Sequence, residues 1–193
     1  MKIGLDIDGV LANFCPDYQS LFITTTGRDT FQPGDAENPP SWDWPDDRGY
    51  TAKETSAVWE RIKTNHAFWL GLGETPHCST LRMMVLDLMR NHDLYYITAR
   101  PGVDAKWQTE QWLRAHLFID LPTVLISSEK GLCARALKLD VYIDDNWDNV
   151  EDVLERSPET RTYLLNRRYN AAFTTAKRVE TLGQMFDAEL DNL

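Results

Sequence analysis

Residues 2–10 read KIGLDIDGV: an apolar run from Ile3 to Ile7 that carries Asp6, with Asp8 two places on and Gly9 behind it. So short and apolar a run predicts a buried strand, and Gly9 supplies the turn that ends it. Four further runs follow: Leu94 to Ile97, Val124 to Ile126, Val141 to Ile143 and Tyr163 to Leu165. Helical patterns lie between them. Leu81, Met84, Val85, Leu88 and Met89 recur at the spacing of one helix face, behind Thr75 as N-cap and Pro76 in the first turn. Leu132, Ala136 and Leu139 form a shorter stripe after Lys130, and Leu182, Met185, Phe186 and Leu190 form a last one with Thr181 as its cap. Strands alternating with crossover helices predict an α/β fold, a parallel sheet covered on both faces.

One stretch breaks this rhythm. Residues 15–73 separate the first strand from its crossover helix, far more chain than that connection needs. An insert with structure of its own is expected there, over a core formed by residues 1–14 and 74–193. It holds Trp42, Trp44, Trp59 and Trp69, four of the seven tryptophans, with Phe31, Tyr50 and Phe68. Rings in a small helical insert pack mainly on one another, so only some of them are expected to face a ligand.

Composition narrows the function. With 193 residues, the chain buries roughly 70% of the surface its unfolded form exposes, so a bound metal would serve chemistry rather than hold the fold. Twenty basic against thirty acidic side chains give a net charge of -10, a poor footprint for nucleic-acid polymers or anionic membranes. Cys15, Cys78 and Cys133 are odd in number and have no C-x-x-C spacing, which reads as free thiols in a reducing compartment. The N-terminal apolar run is short, already acidic and not followed by an A-x-A site, and no stretch reaches about 18 apolar residues. A cytoplasmic location is expected.

In an open α/β sheet the carboxyl ends of the strands share one edge, and ligands bind there. Those ends are polar in this chain: Asp6 and Asp8, then Thr98, then Asp144 and Asp145, with Lys130 opening the helix after the third strand. A single Asp after a strand is commonly a cap or turn residue. Several carboxylates converging on one lysine instead describe a site completed by a divalent cation or a phosphate. A calcium loop beginning at Asp6 fails, because Leu11 stands where glycine is required and Asp17 where glutamate is. The absence of G-x-x-x-x-G-K-[ST] and G-x-G-x-x-G disfavours ATP-loop and dinucleotide functions.

D-x-D-G-V at the first strand, the Thr of YITAR (96–100), the Lys of SSEKG (127–131) and the acidic pair of YIDDN (142–146) resemble, in order, the four motifs of the haloacid dehalogenase-like phosphohydrolases. Within that superfamily, DIDGVLANF (6–14), SAVWE (56–60) and LLNRRYN (164–170) are similar to the 5'(3')-deoxyribonucleotidases. The resemblance implies a Rossmann-like three-layer core of sheet order 3-2-1-4-5, with a small, mainly helical cap inserted after strand 1. It implies a Mg²⁺-dependent phosphomonoesterase that hydrolyses nucleoside monophosphates, above all deoxyribonucleotides, through an aspartyl-phosphate.

Carried onto this sequence, the resemblance makes Asp6 the nucleophile and Asp8 the general acid and base. Thr98, Ala99 and Lys130 would contact the phosphate. Asp6, the Asp8 backbone carbonyl and Asp145 would hold Mg²⁺, with Asp144 beside Asp145 or in its place. Phe14 and Trp59, with Trp44 as a third candidate, would stack the nucleobase, and Arg100 would be a further substrate contact. Ala99 and Arg100 depart from the superfamily's second motif, where a hydroxyl residue commonly follows the threonine. The expected partner is a small nucleotide, neither polymer nor membrane, and a homodimer is the candidate assembly. Two alternatives stand beside this reading: a phosphatase of another small ester, and a phospho-accepting receiver-like domain. The receiver predicts a lone Asp after the third strand and no insert, whereas that run ends in Ser127 and Ser128. Arg167, Arg168 and Arg178 are read as solvated surface. His66, His77, His92 and His116 show no ligand spacing and are read as surface or packing residues.

Overall fold

The computed structural model describes residues 1–190. In chain order its elements are β1 (Lys2–Leu5), β2 (Ala12–Asn13), α1 (Phe14–Thr26), α2 (Trp44–Asp47), α3 (Ala52–Thr64), β3 (Gly73–Glu74), α4 (Pro76–Asn91) and β4 (Asp93–Thr98). There follow α5 (Ala105–Leu117), β5 (Thr123–Ile126), α6 (Lys130–Leu137), β6 (Val141–Asp144), α7 (Trp147–Arg156), β7 (Arg161–Leu165), β8 (Lys177–Val179) and α8 (Leu182–Leu190). The main sheet runs β5-β4-β1-β6-β7-β8 with every neighbouring pair parallel. Its five expected strands stand in the order 3-2-1-4-5. The sixth, β8, extends the edge beyond them. Its three residues carry Arg178 at the centre, so no apolar run marks it.

Alternation along the strands divides the core. Ile3, Leu5, Leu94, Tyr96, Val141 and Ile143 belong to the larger apolar cluster, whereas Ile97, Tyr142, Leu139, Ala134 and Val153 form a separate one. Gly4 faces the second cluster. A Cβ on it would lie 2.5 Å from Leu139 Cδ1 and 2.9 Å from Tyr142 Cδ2, so the central strand passes there only as glycine. Leu182, Met185 and Phe186 are buried as expected, and Thr181 Oγ1 accepts from the Gln184 amide as the cap of α8. The side chain of Leu190 lies outside the described residues.

The structure corrects three details. Leu132 and Ala136 are exposed, because α6 turns Lys130, Gly131 and Ala134 inward. Its contact face is made of small residues and a lysine: Gly131 packs on the α7 backbone, where a Cβ would meet the Asp152 carbonyl at 2.2 Å. Met89 is exposed at the end of its stripe. Thr75 occupies the N-cap position of α4, but its hydroxyl makes no cap bond and donates instead to the Val10 carbonyl, 2.6 Å away.

The chain leaves the core at β2 and returns at β3. These two strands pair antiparallel, Ala12 opposite Glu74 and Asn13 opposite Gly73. Between them α1 and α3 pack together around rings: Phe22 lies 4.8 Å from Tyr50, and Phe31 lies 4.7 Å from Trp44. α3 opens with a capping box in which Thr51 Oγ1 accepts from the Glu54 amide and Glu54 accepts from the Thr51 amide. Glu54 also receives the Arg28 guanidinium at 2.8 Å. The insert is fastened again at Trp69, whose amide donates to Gln108 Oε1 and whose indole N–H donates to the Pro101 carbonyl.

Overpacking the central strand by Gly4→Ala should lower stability by about 1–3 kcal/mol, read as a lower urea midpoint at unchanged slope. The Thr51 amide, then the Arg28 guanidinium and the Thr51 hydroxyl, hold Glu54 down to about 2 from an ordinary 4.5. Because the folded value is the lower one, this stabilisation is complete above pH 4.5 and is lost as pH falls through about 2. A Glu54→Gln variant should therefore melt below the parent at neutral pH, and the two melting curves should converge toward pH 2.

Candidate active site

Beyond β1 the chain turns on one carbonyl. Ile7 O accepts from the amides of Val10, Leu11 and Ala12 at 3.2, 2.7 and 2.8 Å. Gly9 adopts φ +84° in this turn, and a Cβ on it would lie 1.9 Å from Asp145 Oδ2. Glycine is thus required twice, for the left-handed backbone and for the carboxylate packed against it. The turn leaves Asp6 and Asp8 at the sheet edge where β4 ends in Thr98 and β6 in Asp144.

Asp6, Asp144 and Asp145 are all buried, and each offers a carboxylate oxygen within 4.8 Å of the others. The Lys130 ammonium, fully buried at the start of α6, lies 2.5 Å from Asp6 Oδ1 and 4.0 Å from Asp144 Oδ2 and also donates to the Ile97 carbonyl. Asp144 accepts from the Tyr142 hydroxyl at 2.5 Å, from Asn149 Nδ2 at 3.0 Å and from the Asn146 amide at 2.8 Å. The Asp145 carboxylate accepts from the Tyr169 hydroxyl, and its backbone carbonyl accepts from Asn170 Nδ2.

Burial and then the neighbouring Asp144 push Asp6 well above the usual carboxylate range, against the pull of Lys130. The same two causes raise Asp145 to about 7. Burial alone would lower Lys130, but Asp6 and Asp144 more than offset it and leave its pKa raised. One ammonium does not balance three buried carboxylates. A hard divalent cation with oxygen ligands would, and the donor set fits one.

Asp8 is partly exposed and held from one side. Arg100 Nε approaches its two oxygens at 3.2 and 2.9 Å, Arg100 Nη2 lies 2.8 Å from Oδ1, and the Thr98 hydroxyl lies 3.3 Å from Oδ2.

These groups open onto a cavity of about 340 Å³. Asp6, Asp8, Thr98, Ala99, Arg100, Asp144 and Asp145 line it together with Phe14, Trp44 and Trp59. Lys130 is not part of the lining and reaches the cluster through Asp6. Phe14 stacks with Tyr18, Trp59 and Trp69 at centroid distances of 4.8, 5.9 and 5.9 Å. Trp42, exposed at the rim, meets Tyr169 edge-on at 5.6 Å.

The supporting groups were not anticipated. Arg167 is no solvated surface residue: its guanidinium donates to the Gly9 carbonyl at 2.5 Å. Arg178 donates to the Asn170 carbonyl and side chain. Of the histidines, His77 is buried and its ring lowered to about 4, first by burial and then by Arg167. Tyr142 carried a readable signal, since residues two apart on a strand share a face and it stands two before Asp144.

The fold is that of the HAD-like hydrolases. Two solved structures share the fold. One, titled the putative HAD-hydrolase YfnB from Bacillus subtilis bound to magnesium, is covered over 98% of its chain and 100% of this one, with TM-score 0.62 and 12% identity. The other, a HAD family hydrolase from Deinococcus radiodurans with bound phosphate and sodium, is covered over 95% of its chain and 99% of this one, with TM-score 0.61 and 15% identity. Residues 1–189 match the model of the 5' nucleotidase, deoxy (pyrimidine), cytosolic type C protein family, NT5C, and the chain belongs to that family. Over 85 residues, 41% of its length, it is 36% identical to "Putative nucleotidase OB0422" of Oceanobacillus iheyensis, and the match spans 43% of that protein. Among the described residues no helix is long and apolar enough to cross a membrane.

Gly9→Ala should displace Asp145 or the turn itself and lower turnover on the order of 10²-fold. Steady-state phosphate release checks it, beside a circular dichroism spectrum that should stay that of the parent.

Proposed function

We propose that this chain is a Mg²⁺-dependent phosphomonoesterase of nucleoside monophosphates, deoxyribonucleotides foremost. One observation carries the reading: a single cavity is lined both by Asp6 and Thr98, with Lys130 bonded to Asp6 behind them, and by the rings of Phe14, Trp44 and Trp59. The polar groups suit a phosphoryl group. The rings suit a base, whose stacking contributes about 1–3 kcal/mol and tolerates base identity. The family's description supports the deoxyribonucleotide preference and a cytoplasmic location. In this reading residues 15–73 are the cap over a core of 1–14 and 74–193.

In the first step an Asp6 oxygen attacks phosphorus, the ester P–O bond breaks, and Asp8 gives a proton to the departing alkoxide. In the second, water attacks the phosphorus of the aspartyl-phosphate and gives a proton to Asp8, the bond from Asp6 to phosphorus breaks, and phosphate leaves. Thr98 holds a phosphoryl oxygen, and Lys130, bonded to Asp6 behind the cavity, supplies positive charge as negative charge gathers on the phosphoryl oxygens during both displacements. Ala99 leaves room beside them without adding a hydroxyl. Asp6, the Asp8 carbonyl and Asp145 would hold Mg²⁺, which when bound supplies positive charge to the cluster and to the phosphate. Asp144 fits the supporting place better than the ligand's, since Tyr142, Asn149 and the Asn146 amide already occupy its oxygens.

The test is phosphate release from a panel of ribo- and deoxyribonucleoside monophosphates and sugar phosphates, with and without Mg²⁺, beside Asp6→Asn. Release from deoxynucleotides that stops in the variant and on chelation is the expected result. Release from sugar phosphates alone would remove the base from the reading, and no release from any ester would remove the reaction.

A further inference from the structure

Arg100 stands two residues beyond Thr98 at the end of β4, and its surroundings give it a specific task. Its side chain is fully buried. Each guanidinium nitrogen is engaged: Nε and Nη2 on the Asp8 carboxylate, Nη1 on Thr109 Oγ1 at 3.2 Å. The plane is backed by rings, with Cζ 4.9 Å from the Trp69 centroid and 5.9 Å from that of Trp112. Every nitrogen of this fork thus already has an acceptor within the protein.

We infer that Arg100 is a positioning residue, whose fixed fork orients the Asp8 carboxylate for proton transfer in both displacements. The inference rests on the phosphomonoesterase reading above. An arginine suits this role because its planar fork grips a carboxylate bidentately, which fixes orientation as well as distance; a lysine provides the charge without the plane. Trp69 extends the arrangement. Its ring lies against Arg100 on one side and is stacked with Phe14 of the aromatic wall, so the group that holds Asp8 is braced by the same rings that bound the cavity.

The two displacements ask different things of Asp8, and this separates orientation from mere stability. A nucleoside alkoxide needs a proton to leave, whereas p-nitrophenolate leaves without one. Attack of water on the aspartyl-phosphate needs the base with either ester. In Arg100→Lys, kcat on a deoxynucleoside monophosphate should fall on the order of 10²-fold with KM within about threefold of the parent. On p-nitrophenyl phosphate the same variant should release a burst of about one p-nitrophenolate per chain before a slow steady state, while the parent shows none. A raised KM with unchanged kcat would make Arg100 a substrate contact and overturn the inference. Equal losses on both esters without a burst would reduce it to a structural residue and overturn it as well. Should Arg100→Lys fail to fold by circular dichroism, Thr109→Val removes only the acceptor of Nη1 and should show the same pattern with a loss of about tenfold; kinetics like the parent's there would overturn the inference. Failure of the underlying reading is distinct, because the parent would then release phosphate from neither ester.

Discussion

Three carboxylates buried against a single ammonium form the constraint to which the rest of the sheet edge answers. Such a cluster repels itself and is removed from water, and the raised values of Asp6 and Asp145 are the measure of that conflict. Its members are held in place from several directions. Lys130 comes from α6, Tyr142 and Asn149 from β6 and α7, Tyr169 and Asn170 from the turn after β7. These supports come from four segments, so the cluster depends on the whole order of strands. A carboxylate cluster held this firmly presents its oxygens before any ligand arrives, which is the condition for electrostatic preorganisation.

The chemistry-bearing residues were readable because topology makes a simple promise: in a parallel sheet the residues that end the strands meet. Asp6, Thr98 and Asp144 lie far apart in the chain and share one edge for that reason alone. What escaped reading follows other rules. The inward face of α6 is Lys130, Gly131 and Ala134, a pattern with no apolar stripe because the helix packs closely on α7 and aims its lysine at the cluster. β8 is short and basic, and it pairs only as an edge. Arg167 looked like a solvated charge because its partner is a backbone carbonyl, that of Gly9, which no pattern of side chains reveals. The residues of LLNRRYN brace two loops, Arg167 on the Gly9 carbonyl and Asn170 on that of Asp145, through backbone partners that a motif does not name.

The aromatic insert is tied to the core at more than its ends. Phe14 begins α1 directly after the loop that carries Asp8, and Trp69 sits beside Arg100 and bonds to Pro101 after β4. The rings that bound the cavity therefore belong to the same apolar cluster as Leu5 and Ile143 of the sheet. The shape given by the rings and the placement of the carboxylates are two aspects of one packed body.

The antiparallel pairing of β2 with β3 has a further consequence. Because Asn13 and Gly73 stand opposite each other, the backbone departs from and rejoins the core at adjacent points, as at the two posts of a gate. Seen from the core, everything between them is an excursion that a tight hairpin would close, so the path of the central sheet is indifferent to what hangs there. Evolution can thus exchange the excursion for another without redrawing the sheet, on one condition: the replacement must again cover Phe14 and brace Arg100. Modularity of chain path and dependence of packing coexist at this one junction, and the second limits how freely the first can be used.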